Sequence, residues 1–228
     1  MAKKKKAEAN VASIDKLNED LTNVTRRVEE NKKTIVWIGT GILAIAVLVL
    51  AYINFIHIPG VEEANNALGQ VDLMQINGAN DSTLMVEYQK VADNYGHDAG
   101  SLAALKAGKL LYKAGKYEDA IKYLKKYDTQ EAIVGASSQA LIGDCYANLN
   151  NLDEAVNYKK KAVKESNENE LYTPVYLVKL AHLYRAQEKY ADEYDAYNEI
   201  KTKYPNFGQA YQLDVEKYLE RARIQAGK

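Results

Sequence analysis

Apolar residues recur along 59–228 with the spacing of one helix after another, and no segment there alternates apolar and polar residues as a half-buried strand does. The pattern therefore predicts an all-α architecture. Within it, the stretches 112–124 and 147–159 align without a gap, and Gly108 and Gly143 are 35 residues apart, as are Ala120 and Ala155. A period of about 34 residues is typical of helix-turn-helix units that stack into a solenoid.

The small residues that recur at this period are expected to let two helices pack closely. Gly108 and Gly143, in the first helix of each unit, are expected to meet Ala120 and Ala155 in the second, so that the two axes approach closely. Glu193 stands at the alanine position of a third unit, which predicts a looser or shifted turn there.

The unit resembles the tetratricopeptide repeat. The residues that carry this resemblance are Leu111, Gly115, Tyr117, Asp119 and Ile121 in the first unit, Ile142, Tyr146, Leu152, Glu154, Val156 and Ala162 in the second, and Leu180, Ala181, Tyr184, Tyr190, Tyr197 and Pro205 in the third. Repeats are expected at about 101–134, 136–169 and 174–207, after a degenerate leading helix pair at 61–94 and before a capping helix at 207–225. Asp119 and Glu154 favour the positive end of a helix dipole there, so we interpret them as structural and not catalytic.

Residues 34–58 carry no Asp, Glu, Lys or Arg. As a helix, Ile35 to Ile56 is about 33 Å long, enough to cross a hydrocarbon core of roughly 30 Å. A cleaved signal peptide has a shorter apolar core and a small-x-small cleavage site. Pro59 and Gly60 follow this one instead, so the pattern favours an uncleaved transmembrane anchor.

Charge around the anchor predicts its direction. Residues 1–58 contain nine Lys or Arg against six Asp or Glu, and after the apolar stretch the next cation is Lys90. Cationic flanks stay in the cytoplasm, so 1–33 is predicted to be cytoplasmic and 59–228 to lie across the membrane, in the periplasm of a bacterium. A heptad stripe in the first segment predicts a helix that pairs with a partner helix, lies on the membrane surface or is merely solvated; its residues are Ile14, Leu17, Leu21, Val24 and Val28.

Composition excludes several kinds of chemistry. The net charge is −1, which is not that of a nucleic-acid-binding surface. The three histidines and the single cysteine, Cys145, have no metal-ligand spacing, and the chain has neither a phosphate loop nor a recognisable nucleophile context. We therefore expect no enzyme activity, no cofactor and no metal. The 18 Tyr residues, against 2 Phe and 1 Trp, suit helix interfaces that are apolar on one side and wet on the other.

Function is then expected to be protein binding in the concave groove that the first helices of the repeats form. The residues at groove-facing spacings are Leu105, Lys109, Tyr112, Ala140, Asp144, Val178, His182 and Arg185; the alternative is that they are only solvated. A second candidate surface is a stripe of small and apolar residues on the anchor, formed by Trp37, Thr40, Gly41, Ala44 and Leu48. Small residues let membrane helices approach one another, although they are common in spans that contact nothing.

The whole layout resembles the YfgM-like family, the ancillary tetratricopeptide subunit of the bacterial Sec translocon, in the form common in Bacteroidota. The stretches that carry the resemblance are VADNYGHDAGSLAALKAGKLLYKAGKYEDAIKYL (91–124), ASSQALIGDCYANLNNLDEAVNYKKKA (136–162), YTPVYLVKLAHLYRAQEKY (172–190) and IKTKYP (200–205). The resemblance implies a single-pass inner-membrane protein that works beside the translocon channel with a membrane-anchored periplasmic prolyl isomerase, helping to hand over secreted chains. The alternative is a scaffold for another envelope machine of outer-membrane assembly, secretion or division.

Overall fold

The computed structural model describes residues 22, 26, 29–128 and 131–228. Every regular element among them is a helix, which confirms the all-α prediction for this part of the chain. The described residues fall into two compact units, with the boundary between Pro59 and Gly60. The heptad stripe predicted for 1–33 lies outside the described residues.

The first unit contains helix α1 (Lys32–Tyr52) and a π-helical turn (Ile53–His57). No side chain of the π turn is buried, and the large apolar residues of α1 are exposed. The helical stretch that starts at Lys32 is long and apolar enough to cross a membrane, by length and composition. In the π turn, the N–H of Ile58 donates to the carbonyl of Ile53, five residues back. The wider turn precedes Pro59, whose ring disfavours the narrower α-helical geometry there.

The second unit is a series of helix pairs. The leading pair is α2 (Ile58–Ile76) and α3 (Asp81–Asn94), followed by α4 (His97–Lys113) with α5 (Tyr117–Leu124), α6 (Ala132–Asn148) with α7 (Leu152–Glu165), and α8 (Thr173–Ala186) with α9 (Tyr190–Lys203). The leading pair begins at Ile58, three residues before the predicted 61.

The turn inside each of the three repeats has the same backbone geometry. Gly115, Asn150 and Glu188 all have positive φ, at 74°, 58° and 58°. The N–H of the next residue donates to the carbonyl five residues back in each case, from Lys116, Asn151 and Lys189, over 2.9 Å. This is the Schellman ending of a helix. The looser or shifted turn predicted for the third repeat is therefore wrong, because the turn is set by the residue with positive φ and not by Glu193.

The predicted contact between Gly143 and Ala155 is confirmed. A Cβ on Gly143 would lie 3.1 Å from the carbonyl oxygen of Ala155 and 3.2 Å from side-chain carbons of Lys159. The equivalent prediction for Gly108 is corrected, because a Cβ there would first meet the side chain of Leu124, at 2.6 Å, and not Ala120. Both glycines allow a close crossing of two helices, but different neighbours fill the space.

The capping helix predicted over 207–225 is two helices, α10 (Phe207–Ala210) and α11 (Val215–Gln225). Gln212 between them has a φ of 53°, which a continuing α-helix does not tolerate. The Oδ1 of Asp214 then accepts a hydrogen bond from the N–H of Lys217 over 3.0 Å and caps the second helix.

Tyrosines fill much of the interface between helices. The ring of Tyr88 is buried, and its hydroxyl donates to Asp72 over 2.7 Å. The ring of Tyr123 is buried as well, and its hydroxyl donates to Asp93 over 2.8 Å. Each tyrosine therefore covers apolar surface with its ring and reaches a carboxylate at the wetter edge of the interface, which explains the bias toward this residue.

Candidate protein-binding surface

The predicted groove residues lie on α4, α6 and α8, the first helices of the three repeats. Their exposure divides them into three groups: Lys109, His182 and Arg185 are exposed, Tyr112, Asp144 and Val178 are half-buried, and Leu105 and Ala140 are buried. The last two are core residues and do not line a surface. Leu105 packs in the core cluster that α2 to α6 share, and Ala140 packs against α7 and α8.

Asp144, in the middle of the groove, forms ion pairs with lysines on two neighbouring helices. One carboxylate oxygen lies 2.7 Å from the Nζ of Lys159 on α7, and the other lies 2.9 Å from the Nζ of Lys179 on α8. Asp144 therefore links both helices of its own repeat to the first helix of the next. A carboxylate that already holds two ammonium groups is part of the framework, and it is poorly placed to bind a further cation.

Lys159 is the buried member of this cluster, with only 1% of its side chain exposed. Its Nζ also donates to the carbonyl oxygen of Ala140 over 2.6 Å. Burial lowers the pKa of Lys159 to about 8, although the nearby charge of Asp144 opposes the shift. The pattern gave no sign of this residue, because a lysine in a run of three, Lys159 to Lys161, reads as part of a solvated face.

Two further groove residues are tuned by their surroundings. Burial raises the pKa of Tyr112, and the negative charge of Asp144 adds to the shift. Partial burial lowers the pKa of His182, and the positive charge of Arg185 adds to that shift. The exposed part of the groove is thus cationic or neutral, since Lys109, His182 and Arg185 are the residues that remain open to solvent.

Ion pairs one repeat apart join the solenoid, and sequence reasoning missed them. Lys179 pairs with Asp144 and Lys203 with Glu168, each over 35 residues. Lys126 pairs with Asp93 over 33 residues, at 2.5 Å. A search for an acid about one period before each lysine would have found these pairs, because equivalent positions of neighbouring repeats lie side by side.

The candidate membrane-contact stripe lies on α1. Trp37 is 78% exposed and Leu48 is 68% exposed, and a Cβ on Gly41 would have no heavy atom within 4 Å. The hydroxyl of Thr40 donates to the carbonyl of Val36 in the preceding turn. With Ala44 also exposed, this stripe has no neighbour within the described residues, and its role as a contact surface stays a prediction.

No group of three or more His, Cys, Asp or Glu that could hold a metal occurs in the residues that the structure describes. Cys145 is fully buried in the core. Burial raises the pKa of its thiol to about 12, and the charge of Asp144 adds to the shift. The thiolate, which is the reactive form, is therefore scarce at neutral pH.

The repeat geometry defines the class of protein: the chain has a tetratricopeptide-like all-helical fold, and solved structures of that class match it. Two crystal structures of MamA match with TM-scores of 0.50 and 0.52 at 19% and 20% identity, over 69% and 73% of this chain and 94% and 93% of theirs. BtubC (BKLC) from P. vanneervenii matches with a TM-score of 0.54 at 16% identity, over 78% of each chain. Identities this low establish a shared fold alone. No protein-family model and no curated protein sequence matches the chain.

Proposed function

We propose that this chain is a membrane-anchored helical-repeat protein that binds other proteins and carries out no chemistry. The observation that carries the proposal is the combination of one exposed apolar helix from Lys32 with a solenoid of helix pairs. An α1 with no packing partner among the described residues suits a lipid environment. A solenoid of stacked helix pairs offers an extended surface, which suits recognition of another polypeptide.

The proposed topology follows from the charges that flank α1. The nine Lys or Arg of residues 1–58 all precede residue 34, so the N-terminal segment stays in the cytoplasm. Residues 59–228 then lie across the membrane, which is the periplasm if the source is a bacterium with two membranes. Protease added to spheroplasts is expected to digest this part and to spare the N-terminal segment. Protection of the repeats in intact spheroplasts would contradict the topology.

The finer proposal is an accessory role at the Sec translocon, assisting the handover or folding of secreted chains. It rests on the resemblance to the YfgM-like family across 91–124, 136–162, 172–190 and 200–205. The partners proposed from that resemblance are the translocon channel subunits and a membrane-anchored periplasmic prolyl isomerase. In this proposal the exposed groove residues Lys109, His182 and Arg185 face the client or the partner.

Affinity purification from mildly solubilised membranes, after crosslinking during secretion, tests the role. A translocon accessory is expected to bring down channel subunits together with many nascent secretory chains. Recovery of one fixed folded partner, with no nascent chains, would assign the protein to a scaffold of another envelope machine instead. A matched variant, Lys109→Ala with Arg185→Ala, is expected to lower client recovery without changing the amount of protein in the membrane.

A further inference from the structure

The leading helix α2 has apolar residues on two opposite faces. Leu68 and Val71 are buried in the core of the solenoid. Leu73 and Ile76 lie away from that core, with 59% and 79% of their surface exposed, and a Cβ on Gly69 would meet no heavy atom within 4 Å. The side of the helix that carries these three residues, the outer face of α2, is therefore open within the part of the chain that the structure describes.

The outer face of α2 has the spacing of a coiled-coil seam. Asn66, Gly69, Leu73 and Ile76 follow one another at intervals of 3, 4 and 3 residues, and Asn66 is exposed as well. These intervals place them on one stripe of the helix, as the a and d positions of a heptad do. A single asparagine at an a position among apolar residues sets the register of a two-stranded pair. The stripe is thus of the kind that packs against a second helix.

The outer face of α2 also lacks charge. Within residues 64–80, Asp72 is the only ionisable residue. Its carboxylate pairs with the Nζ of Lys106 at 2.6 Å and accepts a hydrogen bond from the hydroxyl of Tyr88 over 2.7 Å, so its charge is used inside the solenoid. Two copies of the outer face therefore meet without like charges opposing each other.

The two ends of the solenoid differ in this respect. At the C-terminal end, α11 exposes Glu216, Lys217 and Glu220 beside one apolar residue, Ile224. The terminal helices of a solenoid are normally polar on their outer side, because no further repeat stacks on them. Helix α11 follows this rule and α2 does not, which indicates that α2 is covered in the assembled protein.

A second copy of this chain suits the outer face of α2 better than lipid or a charged partner does. Helices that lie on a membrane surface carry Lys or Arg on their polar side, and residues 59–89 contain neither. A charged protein surface would find no complementary charge on this face. An identical face is apolar, uncharged and matched in spacing, so it complements the outer face of α2.

We propose that two copies of this chain pair through the outer faces of α2, in a short parallel coiled coil. Leu73 and Ile76 each meet their counterpart, and the two Asn66 side-chain amides bond to each other. Leu68 and Val71, which hold α2 to its own solenoid, are on the opposite side of the helix, so their contacts are kept.

The parallel direction rests on the proposed anchor. Helix α1, the π turn and α2 follow one another without a loop, so both copies of α2 begin at the same membrane surface. A stripe this short buries little apolar area and pairs weakly in free solution. Two anchors in one membrane raise the effective concentration of the two stripes.

Cysteine crosslinking of the full chain in isolated membranes tests the pairing. Leu73→Cys and Ile76→Cys are each expected to give a covalent dimer with a short bismaleimide, because each thiol faces its counterpart. The parent chain is the blank, since Cys145 is fully buried. Lys217→Cys is the matched control: it puts an exposed thiol on α11, at the other end of the solenoid, and is expected to give little dimer.

An added charge separates pairing from chance collision. Ile76→Lys combined with Leu73→Cys is expected to lose most of the crosslinked dimer, because two lysines would then oppose each other in an apolar contact. Ile224→Lys combined with Leu73→Cys is the control, since it adds the same charge at an apolar residue that is 65% exposed on α11. It is expected to keep the dimer.

Three results would overturn the pairing: no dimer from either cysteine on α2, an equal yield of dimer from Lys217→Cys, or an adduct with another protein in place of the dimer. The last result would assign the outer face of α2 to that protein. Labelling of Lys217→Cys by a membrane-impermeant maleimide in spheroplasts tests the proposed topology separately. If that label is absent, the topology is wrong, while the comparison of dimer yields still decides whether α2 pairs.

Discussion

The carboxylate of Glu193 on α9 is completely buried and forms an ion pair with the guanidinium of Arg221 on α11. Glu193 stands where the first two repeats bury the methyl groups of Ala120 and Ala155. Burial raises the pKa of this carboxyl group, with the charge of Arg185 opposing the shift. Among the described residues, Arg221 forms the ion pair with this buried carboxylate, which couples the capping helix to the last repeat.

This coupling predicts an asymmetric mutational response. Arg221→Leu is expected to lower the free energy of unfolding by about 2–3 kcal/mol, because it leaves a buried carboxylate unpaired. The double variant Glu193→Ala with Arg221→Leu is expected to regain most of that loss, since it restores the alanine of the other repeats. Urea denaturation of the detergent-solubilised chain, followed by tyrosine fluorescence, measures both. If Arg221→Leu is as stable as the parent, the ion pair between Glu193 and Arg221 contributes nothing to the free energy of unfolding.

Two glycines, one in a repeat and one in the leading helix pair, are expected to respond in opposite directions to alanine. Gly143→Ala adds a Cβ at 3.1 Å from the carbonyl oxygen of Ala155, so we expect a loss of about 1–3 kcal/mol, and more for leucine. Gly69→Ala on α2 meets no heavy atom within 4 Å and is expected to gain about 0.5–1 kcal/mol from helix propensity. Equal effects from both substitutions would show that α6 and α7 do not cross as closely as described.

Lys159 predicts a pH dependence of stability. Its pKa is lowered by burial to about 8 in the folded chain, so the unfolded chain binds more protons between about pH 8 and pH 10.5. Stability relative to a chain without this group therefore rises with pH over that window. Below pH 8 Lys159 is charged, and burial of that charge lowers the free energy of unfolding most in this range. The carboxylate of Asp144 offsets part of the loss.

The measurement is a comparison of the parent with Lys159→Met, because other groups titrate at alkaline pH. The difference in unfolding free energy is expected to shift in favour of the parent as the pH rises from 8 to 10, by about 1–3 kcal/mol. Lys160→Met is the matched control, and its difference from the parent is expected to stay constant. A flat difference for Lys159→Met would mean that the lysine is not buried as a charged group.

Two fully buried tyrosines separate the contribution of the ring from that of the hydroxyl. The hydroxyl of Tyr88 donates to Asp72 over 2.7 Å, whereas the hydroxyl of Tyr197 has no hydrogen-bond partner in the described residues. Tyr88→Phe is expected to cost about 1–2 kcal/mol, because it removes a hydrogen bond to a charged group. Tyr197→Phe is expected to be neutral or stabilising by the same measurement. The reverse order would contradict these hydrogen-bond assignments.

The anchor is predicted to be more than a tether. Replacing 35–56 with a polyleucine helix of equal length is expected to preserve insertion and orientation but to lower recovery of membrane partners, because it covers the stripe of Gly41 and Ala44 with large side chains. Co-purification from solubilised membranes measures the recovery. The control replaces residues on the other side of α1, Ile42 and Leu50, with leucine and valine. If recovery of membrane partners is unchanged with the polyleucine helix, the repeats alone carry the binding.

Local patterns in the sequence were sufficient to predict the helices, the repeat and the apolar segment. Each of these depends on positions within one helix or one period, such as Gly143 and Ala155, 12 residues apart. The turn at Gly115 could be predicted for the same reason, because glycine adopts positive φ at little cost. The break at Gln212 could not, since glutamine carries no such preference.

The partners across repeats depend on the tertiary structure. Helical periodicity predicts which face of α4 or α6 is apolar, but it does not predict which neighbour covers that face, and so Leu105 and Ala140 were placed in the groove although they are buried. The pairing of Glu193 with Arg221, 28 residues away, depends on how α11 packs on α9. Stacking of the repeats brings these side chains together, and the energy of burying a charge depends on neighbours that a linear pattern does not specify.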